Sequence, residues 1–479
     1  HMTIPATFMW PRDAWDTPVT ITFDRPDDDW HIATQLMPTD DPEMFEAPSL
    51  YYFMDSPTEI SPFTMRSWEV MSNGETQTIR LAVHHAGTEA EVDAYAEMAK
   101  KVVAEQIAIF GEIPDYDGGT YTFIADYLPH VNGDGMEHRN STILSSTGSL
   151  EENALGLLGT LSHEYFHQWN VERLRPQTLE PFDFEAANMS DALWFAEGFT
   201  SYYDDLTIRR AGITTDDDYA QSLTNNLNYV LTSPGSHFFS PVEMSQQAPF
   251  VDAASSIDPQ NKSNTFISYY SWGAMIGLGL DLALRGHFGT TLDLYMRNVW
   301  QQYGKPEIPY TLADLQRILA EESGSPEFAE DFFQDHVYGR TMMAYKSLLS
   351  QAGFLLRLAH PDETWLGGGV TDLDGQVVIA SNATIGGPLY EAGLDRGDVI
   401  LEAEGQAIAD VTAFMDMLDE YEPDDTLTLL VNQRGEQKQV VVTLAQDPQL
   451  EVVTYETAGR TLTDAQRTFR TKWLASRVH

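Results

Sequence analysis

Two histidines and a glutamate stand at positions that one helix face would bring together. His163, Glu164 and His167 form an H-E-x-x-H pattern inside a segment of helical periodicity. Because an α-helix has about 3.6 residues per turn, positions i and i+4 lie on the same face. Two imidazoles at that spacing can bind one Zn²⁺ ion, and the intervening carboxylate can accept a proton from the attacking water. The pattern therefore predicts a catalytic zinc site with Glu164 as the general base.

A catalytic zinc site takes a third protein ligand and keeps a fourth position open. Glu197 lies in an apolar helical segment, residues 194–200, that follows the first one. A buried carboxylate without a partner is costly, so Glu197 is expected to face a cation. Asp204 lies two helical turns further on and could accept a hydrogen bond from the outer nitrogen of a ligand histidine. A solvated acid is the alternative reading of Asp204.

The elements that must position these residues fall into four segments, which together predict a multidomain α+β protein. Residues 1–84 alternate as strands do and predict an N-terminal β domain, which is partial and starts with a cloning remnant, His1-Met2. Residues 85–345 repeat apolar positions at helical spacing and predict a mainly helical domain. Residues 346–450 combine short strands, glycine turns and one helix, and predict a small separate module. Residues 451–479 predict a polar helical tail.

The amino-acid composition of the chain limits the binding partners and metal ligands that are expected. The chain has 479 residues, 27 basic and 73 acidic, with a net charge of −46 and no cysteine. The negative charge disfavours nucleic acid and anionic membranes, and no apolar run is long enough for a membrane span. The absence of cysteine excludes thiolate metal ligands and disulfides. The acidity suits either a salt-adapted protein or an ordinary acidic bacterial one, and with no signal segment recognisable, cytoplasm and periplasm both stay open.

The sequence resembles the glycyl aminopeptidase family of zinc metallopeptidases, metallopeptidase family sixty-one, whose members are relatives of aminopeptidase N. The resemblance covers nearly the whole chain. Its motifs are residues 163–176, 194–203, 55–59 and 135–138, and a C-terminal module similar to bacterial PDZ domains. It implies a thermolysin-like catalytic domain that binds one Zn²⁺ through His163, His167 and Glu197.

Two further motifs carry over from this resemblance. Gly135, Met136, Glu137 and His138 resemble the G-x-M-E-N strand of aminopeptidase N relatives, with histidine in place of asparagine, and imply that Glu137 binds the α-ammonium group of the substrate. An ion pair between Glu137 and Arg139 is the alternative. Tyr270 resembles the tyrosine that stabilises the oxyanion in those relatives, although Trp272 replaces their lysine and Tyr269 is a rival candidate.

The family resemblance implies an aminopeptidase that removes small N-terminal residues, Gly or Ala, from peptides with a free N-terminus. The PDZ-like module could bind a peptide C-terminus, with residues 366–370 as a candidate carboxylate-binding loop, or could act as a spacer. Two other functions stay open. One is a zinc metalloendopeptidase that uses the PDZ-like module for substrate capture, and the other is a binding protein with a relict site, against which the intact ligand set and Glu164 speak.

Overall fold

The computed structural model describes residues 1–251 and 261–478 of the chain. Residues 252–260 and residue 479, which fall within the predicted helical domain and the predicted tail, lie outside the described residues.

The N-terminal region is built from short strands around a small apolar core. Its elements are α1 (Ile4–Thr7), β1 (Val19–Thr22), β2 (His31–Thr34), β3 (Met37–Pro38), β4 (Met44–Ala47), α2 (Leu50–Met54) and β5 (Thr58–Ser61). Strands β1, β4 and β3 form one antiparallel sheet, and β2 pairs with β5. Leu50 and Phe53 of α2 pack into the core of this region, together with Phe23 and Leu36. Helix α2 begins where the side chain of Ser49 accepts a hydrogen bond from the Tyr52 N–H.

A five-stranded mixed sheet forms the wall of the middle domain. Its elements are β6 (Thr64–Ser72), β7 (Glu75–His85), α3 (Glu89–Phe110), β8 (Thr120–Tyr127), β9 (Asp134–His138) and β10 (Ser141–Ser146). The strand order is β6-β7-β8-β10-β9, so β9 is an edge strand. Strands β7, β8 and β10 run parallel, and α3 connects the first two.

This sheet crosses the boundary expected at residue 84. Strand β6 and all but the last residue of β7 lie within the segment assigned to the N-terminal domain, yet β7 pairs with β8 from Thr78 to His85. Its inward residues Ile79, Leu81 and Val83 are fully buried in the core of the middle domain. Alternation of apolar residues identifies a strand but does not say which strand it pairs with, because a parallel partner is a crossover helix away.

Helices fill the rest of the middle domain. They are α4 (Leu150–Phe166), α5 (Leu193–Arg210), α6 (Asp216–Thr232), α7 (Pro241–Gln246), α8 (Ala248–Val251), α9 (Lys262–Thr265), α10 (Tyr269–Ala283), α11 (Leu292–Val299), α12 (Leu312–Ser323), α13 (Pro326–Phe332) and α14 (Tyr345–Gln351). Helices α4, α5 and α10 share one apolar core with the inner face of the sheet. Short π-helical turns extend α10, α11 and α13 at their C-terminal ends.

A second β module follows and has an apolar core of its own. Its elements are β12 (Thr364–Trp365), β13 (Val370–Leu373), β14 (Gln376–Ile379), α15 (Pro388–Glu391), β15 (Val399–Ala403), β16 (Gln406–Ala407), α16 (Val411–Leu418), β17 (Thr426–Gln433), β18 (Glu436–Thr443) and β19 (Ala445–Gln446). Its main sheet has the order β13-β14-β15-β17-β18, so β13 is an edge strand. Phe414 of α16 packs against Ile379 and Leu429 in this core.

The chain then returns to the middle domain. Strand β11 (Phe354–Leu358), which precedes the module, pairs in antiparallel register with β20 (Leu450–Thr454), which follows it. Helix α17 (Asp464–Leu474) ends in Trp473, which is fully buried against Tyr219 and Phe354. The segment expected to be a polar tail therefore has one apolar face, and that face completes the core of the middle domain.

The expected fold class is confirmed: an N-terminal β region, a mainly helical middle domain and a C-terminal β module follow each other along the chain. A search of the described helices for one long and apolar enough to cross a lipid bilayer finds none.

Candidate active site

Helix α4 carries the H-E-x-x-H residues at its C-terminal end. The helix begins at Ser149, whose side chain accepts a hydrogen bond from the Glu152 N–H. His163 lies in the last turn, and His167 caps the helix. The two imidazole rings are 4.7 Å apart, centre to centre, and meet edge to face. Helical spacing alone thus brings both rings to one side of α4.

Helix α5 brings Glu197 to the same point. Its Oε2 lies 3.3 Å from His163 Nε2 and 3.2 Å from His167 Nε2. One donor atom from each of the three residues lies within 4.8 Å of the others. Two histidine nitrogens and one carboxylate oxygen are the donor set of a catalytic zinc site, which leaves a fourth position for water or substrate. The three side chains therefore fit a zinc ion.

Each histidine is oriented through its other nitrogen. His163 Nδ1 donates to Asp204 Oδ2 at 3.1 Å, and His167 Nδ1 donates to the carbonyl oxygen of Asn170 at 2.7 Å. Both contacts leave Nε2 directed towards Glu197, the arrangement that metal-ligating histidines usually show. The structure places Asp204 at the position suggested by its spacing. The sequence could not identify Asn170 as the partner of His167, because the contact is made by its backbone carbonyl oxygen.

The turn after α4 is fastened to α5. Asn170 Nδ2 donates to the carbonyl oxygens of Phe195 and Ala196, at 3.2 and 3.0 Å. The next residue, Val171, has φ +114°, which is rare for a β-branched residue. The turn is therefore strained at Val171 but fixed to α5 by hydrogen bonds. It holds in place the Asn170 carbonyl oxygen that orients His167.

The electrostatics of the three ligands favour a cation between them. Burial lowers the pKa of His163, but its hydrogen bonds to Asp204 and Glu197 outweigh burial and raise the pKa well above its usual range. Burial also opposes charge on His167, and the carboxylates of Glu197 and Glu137 raise the pKa of His167 to about 9. Burial would raise the pKa of Glu197, and the two histidines instead hold it well below its usual range. A metal cation can replace the protons that this carboxylate stabilises.

Glu164 is buried beside these ligands. Burial raises the pKa of Glu164 to about 8, although both histidines act in the opposite direction. Its Oε2 has no hydrogen-bond partner among the residues that the structure describes. A buried carboxylate oxygen without a donor is costly, which suits a group whose partner arrives with the reaction.

Edge strand β9 passes directly over Glu164. A Cβ added to Gly135 would lie 2.8 Å from Glu164 Cδ and 3.0 Å from Thr160 Cγ2. Glycine therefore permits the close approach of strand and base. The sequence motif includes Gly135, but the need for glycine there follows from the packing of β9 against α4.

Glu137 lies two residues further along β9 and faces the same side. One of its carboxylate oxygens lies within 4.8 Å of donor atoms of Glu164 and His167. The alternative ion pair with Arg139 is not formed, since Arg139 binds Asp117 at 2.8 Å and Glu307 at 2.9 Å. Met136 and His138 alternate to the other face of the strand, where His138 Nδ1 contacts Asp55 Oδ1 at 2.8 Å.

Helix α10 brings a tyrosine beside the histidines. The ring of Tyr270 lies 6.0 Å from the ring of His163, centre to centre. Tyr269 is 3% exposed and belongs to the apolar core. A Cβ on Gly198 of α5 would lie 2.6 Å from the backbone carbonyl carbon of Gly273 in α10, so the two helices cross through paired glycines. This close crossing sets Tyr270 next to the ligand helix.

A cleft of about 570 Å³ opens beside Glu137, between the N-terminal region and the sheet. Tyr51 and Phe182 are among its apolar walls, and Glu172 and Arg175 are among its charged ones. Glu172 is buried and lies 3.1 Å from Arg175. Burial, and to a lesser degree the charge of Asp55, raise the pKa of Glu172 to about 7.

The candidate carboxylate-binding loop of the C-terminal module precedes edge strand β13. The Gly369 N–H donates to Ser381 Oγ at 2.7 Å, and the Gly367 carbonyl oxygen accepts from the Thr384 N–H at the same distance. Asp372 of β13 accepts a hydrogen bond from the Val411 N–H at the start of α16. A peptide strand could add to the free edge of β13 beside this loop.

Comparison with known protein families gives three matches along the chain. Residues 1–62 match the peptidase M61 N-terminal domain, residues 156–276 match M61 glycyl aminopeptidase, and residues 364–444 match the PDZ domain. The match to M61 glycyl aminopeptidase contains all three candidate metal ligands, Glu164 and Tyr270. A search of curated proteins for similar sequences found no match.

One solved structure shows the same fold, and a second aligns with part of the chain. An aminopeptidase N family protein from Idiomarina loihiensis aligns with 97% of this chain and 80% of its own, with 24% identity and a TM-score of 0.77. An M1 zinc metallopeptidase from Deinococcus radiodurans aligns with 68% of this chain and 64% of its own, with 17% identity and a TM-score of 0.43. The first likeness shows that this chain shares the fold of that protein. The resemblance seen in the sequence is confirmed for these parts of the chain: they match M61 glycyl aminopeptidase, the M61 N-terminal domain and the PDZ domain.

Proposed function

We propose that the chain is a zinc-dependent aminopeptidase of the gluzincin type, with one zinc ion per chain held by His163, His167 and Glu197. The observation that carries this proposal is the convergence of these three donors on one side of α4 and α5, with the carboxylates of Glu164 and Glu137 beside them. Zinc, when bound in such a site, acts as a Lewis acid that activates water and polarises the scissile carbonyl group.

The protein's own groups divide the remaining work. Glu164 accepts a proton from the attacking water and passes it to the nitrogen of the leaving amine. The hydroxyl group of Tyr270 donates to the oxyanion as the carbonyl carbon becomes tetrahedral. The position of Tyr270 beside His163, with Tyr269 in the core, supports Tyr270 in this role.

Glu137 accounts for action at a free N-terminus. Its carboxylate lies close to Glu164 and is not used by Arg139, so it can bind the α-ammonium group of a substrate. An anchor at a fixed distance from the base places the first peptide bond, and no later one, at the site of attack. The preference for Gly or Ala in the first position rests on the family's description as glycyl aminopeptidases.

A panel of aminoacyl chromogenic amides, with and without a chelator, tests this proposal. We expect turnover of the glycyl and alanyl amides, loss of turnover with chelator, and recovery when zinc is restored. Glu164→Gln should retain zinc by metal analysis and lose turnover, because the amide cannot accept the proton. A Glu164→Gln variant that still turns over these amides would refute the role of the base.

The PDZ match favours a second candidate, an endopeptidase that captures protein substrates through the PDZ domain. Acetylation of the substrate amine separates the two. An aminopeptidase should not cleave the acetylated peptide, because that peptide has no ammonium group for Glu137 to bind. An endopeptidase should cleave both forms equally.

A further inference from the structure

The turn that follows β9 is held by side chains from the N-terminal region. Asp55 lies directly after α2, and its two carboxylate oxygens bind the last residue of β9 and the first residue of the turn. Oδ1 contacts His138 Nδ1 at 2.8 Å, and Oδ2 accepts a hydrogen bond from the Arg139 N–H at 3.0 Å. The other ring nitrogen of His138 is buried and has no hydrogen-bond partner among residues 1–251 and 261–478, so Asp55 alone fixes the ring by hydrogen bonding.

Gln35, also in the N-terminal region, binds the two residues that follow Arg139. Its Oε1 accepts hydrogen bonds from the Asn140 N–H at 2.8 Å and from Ser141 Oγ at 3.0 Å. Its Nε2 donates to the Asp55 carbonyl oxygen at 2.6 Å, which ties the two holding residues together. Gln35 is 5% exposed, so a lost hydrogen bond there would not be replaced freely by water.

The edge position of β9 makes these contacts important for Glu137. Within the part of the chain that the structure describes, strand β9 pairs on one side only, with β10, and its residues 136–138 line the cleft. Neighbouring residues in a strand are about 3.3 Å apart, so a displacement of His138 is passed directly to Glu137. A rigid supporting contact is what keeps a functional group within reach of its ligand.

We propose that Asp55 is a positioning residue of the N-terminal region that, with Gln35, sets the carboxylate of Glu137 for binding the substrate α-ammonium group. The inference rests on the proposed aminopeptidase function. The N-terminal region thereby contributes to selection of free N-termini without touching the substrate.

The test compares each peptide with its acetylated form. The quantity measured is the ratio of kcat/KM for Ala-Ala-Ala to kcat/KM for acetyl-Ala-Ala-Ala, in wild type and Asp55→Asn, at a temperature where both are folded. Asparagine replaces one of the two acceptor oxygens with an NH2 group and removes the negative charge, so the two hydrogen bonds cannot both keep their geometry, the turn should shift and the ratio should fall by about tenfold. Gln35→Met is the second variant, should Asp55→Asn not fold, and is expected to lower the ratio in the same direction.

Asp117→Asn is the matched control. Asp117 holds the same turn through side chains, accepting from Arg139 Nε at 2.8 Å and Asn140 Nδ2 at 2.7 Å. This variant should lose stability and keep the wild-type ratio. If Asp117→Asn lowers the ratio as much as Asp55→Asn does, general loosening explains the effect and the specific role of Asp55 is overturned.

Binding gives a second readout that does not depend on turnover. In a Glu164→Gln background, calorimetry should show that Asp55→Asn weakens Ala-Ala-Ala by about tenfold and leaves acetyl-Ala-Ala-Ala unchanged. A wild-type enzyme that treats both peptides alike overturns the proposed function itself. A wild type that discriminates, together with an Asp55→Asn variant of unchanged ratio and affinity, overturns only the role of Asp55.

Discussion

Gly135→Ala tests the contact between strand β9 and the candidate base most directly. The new Cβ would clash with Glu164 Oε1, its nearest neighbour, and would lie 2.8 Å from Glu164 Cδ and 3.0 Å from Thr160 Cγ2. Ordinary van der Waals contact begins at 3.4 Å, so the strand or the Glu164 carboxylate must move by roughly 0.6 Å or more. Gly135 does not have a positive φ, so alanine is compatible with its backbone and the effect is steric.

The magnitude follows from how steeply catalysis depends on placement. A shift of about 1 Å in a catalytic group can cost about 100-fold, so we expect kcat to fall by about 10- to 100-fold. The zinc content should stay at the wild-type level, because the three ligands lie on α4 and α5 and not on β9. The assay is kcat on a chromogenic alanyl amide, alongside metal analysis and a thermal melt.

Gly133→Ala is the matched control for this prediction. A Cβ at position 133 would meet only the Ser145 carbonyl oxygen, at 3.9 Å, although it lies immediately before the same strand. Its kcat should equal that of wild type. A Gly135→Ala variant with wild-type kcat, or an equal loss in Gly133→Ala, would refute the reasoning that β9 sets the position of Glu164.

Three other changes test separate parts of the structure. Asp204→Asn should weaken zinc binding by about 10- to 100-fold in a chelator competition, because it weakens the hydrogen bond that orients His163; unchanged affinity contradicts this. Trp473→Ala should lower the free energy of unfolding in urea by about 3–5 kcal/mol, since it empties a fully buried position; a loss below about 1 kcal/mol would show that α17 is dispensable. The pKa of Glu172 is raised to about 7, so between about pH 4.5 and pH 7 the folded chain retains a proton that the unfolded chain releases. This carboxyl group therefore lowers the free energy of unfolding as the pH rises through that range. The stability of Glu172→Gln relative to wild type should therefore increase between pH 5 and pH 8, and a constant difference in urea unfolding would contradict it.

Local patterns in the sequence were sufficient to predict the helices that carry the candidate metal ligands. Spacing within α4 places His163 and His167 on one face, and the apolar setting of Glu197 indicates a buried carboxylate. Both are properties of a few neighbouring residues, which periodicity and burial costs describe well. The position of Asp204 could be predicted in the same way, because its spacing from Glu197 places both residues on one face of α5.

Long-range packing could not be read in the same way. The pairing of β7 with β8, the buried face of α17 and the contact of Asp55 with the turn after β9 each join segments that are far apart in the sequence. Alternation and composition report whether a segment has an apolar face but not which surface covers that face. The same limit applies to Gly135, which resembles any turn glycine until the side chain beneath it is known.

The pairing of β11 with β20 determines how the PDZ domain is attached. Because the two strands run antiparallel, the chain leaves the middle domain and re-enters it at adjacent points, Leu358 and Leu450. Asn264 of α9 adds a third tie, since its side chain bonds the Ala383 carbonyl oxygen at 2.8 Å and the Ile385 N–H at 3.0 Å. The PDZ domain is thus inserted between two paired strands. Two chain segments connect it to the middle domain, where a terminal domain would have a single linker. A peptide that bound there would stay at a high effective concentration near the candidate active site, and a short hairpin turn could replace the insertion without cutting the core of the middle domain.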